Sequence, residues 1–219
     1  KEDLDQPSLQ KLVTFRIGNI IGEETIPIPK NSIIVKTGNS TAYLVNSYQY
    51  VENQESKTGF KLTKVSLSNP SKPLISKTSI KIPGKSNKYF NPYTGLPFIA
   101  KSNDEKISIT FQYYNGKNFD LDNRNFDVII YDTKTGMTTQ HTFDTYHKSE
   151  TERYNVAMNK EGVFIATEQY IPAIRPQISH LKFTVFRTDS DTPLNIRLNT
   201  SNYNELPEIV TLPDNKLAI

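Results

Sequence analysis

Apolar and polar positions alternate along most of this chain, and the pattern is clearest over residues 97–143. In 106–113, Ile107, Ile109, Phe111 and Tyr113 fall on one side and Ser108, Thr110 and Gln112 on the other. That is the period of two expected of a strand with one buried face. Residues 126–132 (FDVIIYD) are apolar on both sides, as in a strand held between layers. Residues 137–143 are mostly Thr, Gln and His and suit an outer edge. SNDE and TKTG provide turn chemistry between the runs. The stretch predicts a four-stranded antiparallel meander with short, long and short connections.

Two neighbours repeat that order. Residues 30–82 read as strand, GNS turn, strand, long loop, strand, SNPSKP turn, strand. Residues 154–199 read the same way, with NKEG and TDSDT as the short turns. Repeats of four short strands, about 55 to 65 residues apart, are the pattern of a β-propeller with one blade per repeat. The ends complement each other. After a polar lead (1–10), residues 11–17 and 24–29 read as the last two strands of a blade, separated by a turn over 18–22. Residues 208–212 and 217–219 read as the first two. The expectation is an all-β chain: a single propeller of four blades (30–82, 96–143, 154–199, and 208–219 with 11–29). The last blade would be shared between the termini, so that 11–17 pairs with 217–219 and no sheet edge is left open. A β-sandwich, or a fragment of a larger propeller, accounts for the same spacing. The buried set expected from the alternation is Tyr43, Val45, Leu62, Phe98, Ile107, Ile109, Phe111, Val128, Ile130, Val163, Ile165, Leu181, Phe183 and Val185.

Two segments carry a family resemblance. KVSLSNPSKPLIS (64–76) resembles the strand–Asn-Pro–strand core of LVIVD-type propeller repeats. VIIYDTKTG (128–136) is similar to the turn between third and fourth strands in many propeller superfamilies. The resemblance implies the propeller fold and carries no function. No WD dipeptide, kelch double glycine or sialidase-type Asp box occurs.

Composition narrows the function classes. A net charge of +3, taken as scattered along the chain, gives no nucleic-acid footprint. No apolar run approaches a membrane span. With no Cys there is no disulfide framework and no usual zinc site. The polar lead is compatible with a tether, including a lipid anchor. The Asn-, Lys- and Ile-rich composition resembles that of exported proteins of low-GC bacteria, which places the expectation in the periplasm or cell envelope.

The loop lengths point to a binding face. In a meander, the first-to-second and third-to-fourth turns share one end of the strands. The second-to-third and inter-repeat loops share the other. Here the first group is short, and the second (52–59, 83–95, 114–125, 144–153, 171–179 and 200–207) is long. Tyr50, Tyr89, Tyr93, Tyr114, Phe119, Tyr146, Tyr170, Arg175 and Tyr203 fall on or beside those loops. Tyr and Arg are the side chains that anchor protein interfaces. The expectation is a non-catalytic module binding a protein or peptide. The alternatives are a bacterial envelope immunity protein that neutralises a toxin, and a hydrolase or lyase with carboxylates in a central funnel. Asp120, Asp122, Asn125 and Asp127 (in FDLDNRNFD) could offer oxygen ligands to calcium, without the spacing of an EF-hand. No nucleophile elbow, phosphate-binding glycine loop or zinc signature is present.

Overall fold

A computed structural model of the chain describes residues 8–16, 19–28, 32–66, 68–69, 74–86, 98–114, 124–144, 154–170, 179–187, 192, 194–198 and 208–218. Within these residues the protein is all-β, with antiparallel pairing and no helix. The chain divides into two compact units, Lys1–Asn87 and Lys88–Ile219.

The first unit holds a hairpin and a four-stranded sheet. In the hairpin, β1 (Ser8–Arg16) pairs with β2 (Asn19–Ile28). Residues 19–22, expected as part of a turn, are already in β2. The sheet is a meander in chain order, β3 (Ile33–Thr37), β4 (Thr41–Glu52), β5 (Glu55–Ser66) and β6 (Leu74–Ser86). Val35, Tyr43, Val45, Phe60, Leu62 and Ile80 are buried on one face of it, and Leu44, Asn46 and Val65 on the other. The long loop expected over 52–59 does not exist. Instead β4 and β5 run on to a two-residue turn at Asn53 and Gln54, both at positive φ (53° and 64°). Two left-handed residues match the twist of a tight hairpin, and Asn tolerates that region better than most side chains. The outer strand β6 exposes Leu74 through Ser79. Lys77 and Lys81 on such a strand discourage further pairing along its edge.

The second unit contains two more meanders in chain order. One is β7 (Ile99–Ser102), β8 (Lys106–Tyr114), β9 (Arg124–Asp132) and β10 (Thr138–Asp144). The other is β11 (Tyr154–Met158), β12 (Gly162–Tyr170), β13 (Ser179–Arg187) and β14 (Leu194–Leu198). A short hairpin follows, β15 (Val210–Thr211) with β16 (Leu217–Ala218). The two sheets meet face to face over a core of Phe126, Val128 and Ile130 from β9 against Val156, Met158, Val163, Ile165 and Phe186. The opposite face of the second sheet, with Ala157, Phe164 and Ala166, packs on Ile209 and Leu217 of the hairpin. Strand β11 therefore lies beside both β7 and β15.

Twelve of the fourteen side chains expected in the core are buried; those of Leu181 and Phe183 lie outside the described side chains. The one-faced reading of β8 is corrected. Ser108 and Thr110 are as fully buried as Ile107 and Ile109. Their cross-strand partners Ile130 and Val128 face the second sheet, so small polar side chains occupy the narrow space between sheets. The pairing expected between 11–17 and 217–219 is not among the pairings of the described residues. Strand β1 pairs with β2 and β16 with β15, in two separate two-stranded sheets. The short β15 and β16 satisfy each other locally, and no shared closing sheet forms among the described residues.

The first-to-second turns of the second unit are linked. The Asn103 side chain accepts from the Glu105 and Lys106 amides (2.9 and 2.7 Å) and donates through Nδ2 to the Asn159 carbonyl oxygen (3.0 Å). Asn159 repeats the arrangement. It accepts from the Glu161 and Gly162 amides (2.9 and 3.1 Å) and donates to the Asn215 carbonyl oxygen (2.9 Å). Both links span 56 residues in sequence. The repeat thus has a fixed period at these turns, set by one residue type that both builds its own turn and reaches the next.

Tyr154 adds a pH dependence. Its ring meets Phe126 edge-on (4.8 Å, 82°), and its hydroxyl points to the Thr110 carbonyl oxygen at 3.5 Å. Burial pushes the phenol well above its ordinary value of 10.0. The folded protein then holds a proton that the unfolded chain releases, so stability falls as pH rises past about 10. Chemical denaturation followed from pH 8 to 12 should show this loss, and Tyr154→Phe should lessen it. An identical alkaline limb in the variant would contradict the assignment.

Candidate functional site

The tight β4–β5 turn carries the alternation of both strands across the hairpin without a break. Tyr48 stands opposite Gly59, and Tyr50 opposite Lys57. On β6, Lys81 stands opposite Gly59. Directly opposed residues share a face, so Tyr48, Tyr50, Glu52, Lys57, Lys61 and Lys81 form one cluster on one side of the sheet. Gly59 makes room for it. A Cβ there would lie 2.7 Å from the Ile80 carbonyl oxygen and 2.8 Å from the Tyr48 ring.

Cations and aromatic rings alternate in the cluster. Lys61 Nζ sits 4.8 Å from the Tyr48 ring centre, and Lys81 Nζ 5.1 Å from that of Tyr50. The two rings are tilted at 32° with centres 5.6 Å apart. Glu52 accepts from Lys57 (2.9 Å) and Lys81 (3.3 Å). These bonds, Lys57's above all, hold its carboxyl below the usual range; in turn Glu52 raises Lys57. Burial, and then the Glu52 charge, raise the Tyr50 phenol. At neutral pH the Tyr50 phenol therefore keeps its proton, and Glu52 and Lys57 stay charged. The Tyr50 hydroxyl is shut from water and has no hydrogen-bond partner among the described residues. A buried donor left unpaired costs about 1–3 kcal/mol, which an acceptor brought by a ligand would recover.

Of the residues expected at a binding face, Tyr50 is in this cluster. Tyr114 and Tyr170 end β8 and β12, each the second strand of its sheet, as Tyr50 is near the end of β4. Tyr89, Tyr93, Phe119, Tyr146, Arg175 and Tyr203 lie outside the described residues, as do Asp120 and Asp122. Asn125 is in β9, paired with Tyr113 and Asp144. Asp127 is fully buried in that strand, and its two oxygens accept from Gln140 Nε2 and Thr142 Oγ1, both at 2.7 Å. Its carboxylate serves cross-strand pairing. No group of three or more metal-ligating side chains occurs among the described residues.

The lysines and Glu52 were missed from the sequence, yet two signals mark them. YQYVENQESKTGFK alternates on both sides of Asn53–Gln54. Residues 30–87 hold nine lysines and two glutamates, with no arginine or aspartate. The charge is therefore concentrated in the first four-stranded repeat and not scattered. The sequence matches no known family profile and no curated protein at a significant level.

Proposed function

We propose that this chain is a non-catalytic protein- or peptide-binding module, built on propeller-type blades, that engages its partner through the Tyr–Lys cluster of the first four-stranded sheet. Three meanders in chain order, stacked faces, and first strands lying side by side in the second unit support the blade reading. The observation that carries the binding reading is the Tyr50 hydroxyl, an occluded donor with no partner among the described residues, set beside the Lys81 ammonium. Tyrosine combines apolar area with a polar tip and is enriched where interfaces are anchored. The Glu52 carboxylate is held ionised by two lysines.

The test is capture of a partner from an extract of the source cells by the immobilised chain. Tyr50→Ala should weaken retention by about 2 kcal/mol, roughly thirtyfold, with little change in melting temperature. Undiminished retention by the variant would remove Tyr50 from the interface. A fall in melting temperature matching the binding loss would make its role structural.

A further inference from the structure

The seam between β5 and β6 continues the cluster along the sheet. Lys81 stands opposite Gly59, Lys61 opposite Ser79, and Lys77 opposite Thr63. Moving down the seam, the lysine alternates from β6 to β5 and back at steps of two residues, about 6.8 Å each. All three lysines are exposed on one face. Resting on the binding reading above, we infer that this seam takes an extended, acidic segment of a partner protein, with Asp or Glu at alternate positions.

The geometry sets the match. An extended peptide presents side chains to one face every second residue, at the same rise as the sheet beneath it. Each carboxylate of an alternating acidic strand would then meet one ammonium. Glu52 and Glu55 face this side from the turn end of β4 and β5; Glu52 is engaged by Lys57 and Lys81, and against Lys57, Lys61, Lys77 and Lys81 the two acids leave the face a positive excess.

Two features favour carboxylates over nucleic acid. Residues 30–87 contain no arginine, the side chain whose planar fork reads phosphate in bidentate fashion. The Tyr48 and Tyr50 rings are already covered by Lys61 and Lys81, which leaves no open platform for stacking bases. Lys61 and Lys81, seated over rings, and Lys77 beyond them present point charges at a regular step, suited to a row of carboxylates.

The experiment measures fluorescence anisotropy of a labelled peptide of about ten residues, alternating Glu and Thr so that one face carries a carboxylate at every step. The full chain should bind it, and binding should weaken as salt rises from about 0.05 to 0.15 M. Lys61→Glu and Lys77→Glu should each weaken it about tenfold or more, since like-charge contacts oppose docking. Lys134→Glu, in the second unit, should not. A peptide of the same composition with all Glu in one block should bind several-fold more weakly. Circular dichroism melting of each variant separates lost binding from lost fold, and Lys77→Gln supplies a milder change at an exposed site.

Failure of the alternating peptide to bind at low salt overturns the inference, as does equal binding of the blocked peptide. Tighter, Lys77-dependent binding of oligothymidylate or of phosphatidylglycerol vesicles would also overturn it, by naming another polyanion. The binding reading has a separate fate. A partner captured through Tyr50 but held equally by the Lys61 and Lys77 variants would leave that reading standing and this inference refuted.

Discussion

Replacing Phe186 by Ala is expected to cost about 3–5 kcal/mol of folding stability. Phe186 is fully buried on β13, and it fills the space between the two stacked sheets of the second unit with Phe126, Val128, Ile130, Met158 and Val163. Its ring centre also lies 5.7 Å from that of His141 on β10. Truncation loses the transfer free energy of the ring and opens a void lined by two sheets. Each sheet is held by its own hydrogen-bonded ladder, so the void cannot close without disturbing pairing. Urea denaturation monitored by circular dichroism reads the effect directly. Phe186→Leu, which keeps most of the volume, should lose less. A cost below about 1 kcal/mol for the Ala variant would mean that the sheets are not packed on this residue.

Gly162→Ala is the second large effect. At most exposed sites this exchange helps slightly, by about 0.4–1 kcal/mol, because it restricts the unfolded chain. Here a Cβ would fall 2.2 Å from the Phe186 carbonyl oxygen and 3.0 Å from Arg187 Cα. Both are backbone atoms of the paired strand, so no side-chain rotation relieves the clash. Strand β13 would have to withdraw, breaking the pairing of Gly162 with Arg187 and shifting Phe186 in the core. The expected loss is about 3 kcal/mol, at the upper end for overpacking. A variant as stable as the parent would show that β12 and β13 can separate here at little cost.

The three meanders were legible because β8 declares itself by alternation and β9 by a short run apolar on both sides, and because Asn- and Gly-containing turns interrupt the strands. The β4–β5 turn was not. Gln54 is not a turn-forming residue, and its left-handed conformation is imposed by the pairing on either side. Ser108 and Thr110 misled for a different reason. Polar letters were read as solvent-facing, whereas their small volume is what lets the next sheet approach. Phe186 escaped the expected core because β13 is buried on both faces over Thr184, Val185 and Phe186, and the alternation through Val185 picks out only one. At the candidate site, Tyr50 could be found as an aromatic residue near a strand end. Its partners could not, because whole-chain net charge cancels the lysines of one repeat against acids elsewhere. Cross-strand register brings them together, and register depends on the turn that was misread.

The asparagine links between turns have a direction: each side chain donates to a carbonyl that lies 56 residues later in the chain. On a ribosome, the donor therefore emerges first and waits for its acceptor. At synthesis rates of about 5–20 residues per second, the wait is roughly 3 to 11 s, far longer than a hairpin needs to form. Each newly made repeat thus passes through an interval in which its turn is built but its outward amide is still bonded to water. In the second unit, the acceptor for Asn103 is thus made before the acceptor for Asn159, and the two links become possible in chain order.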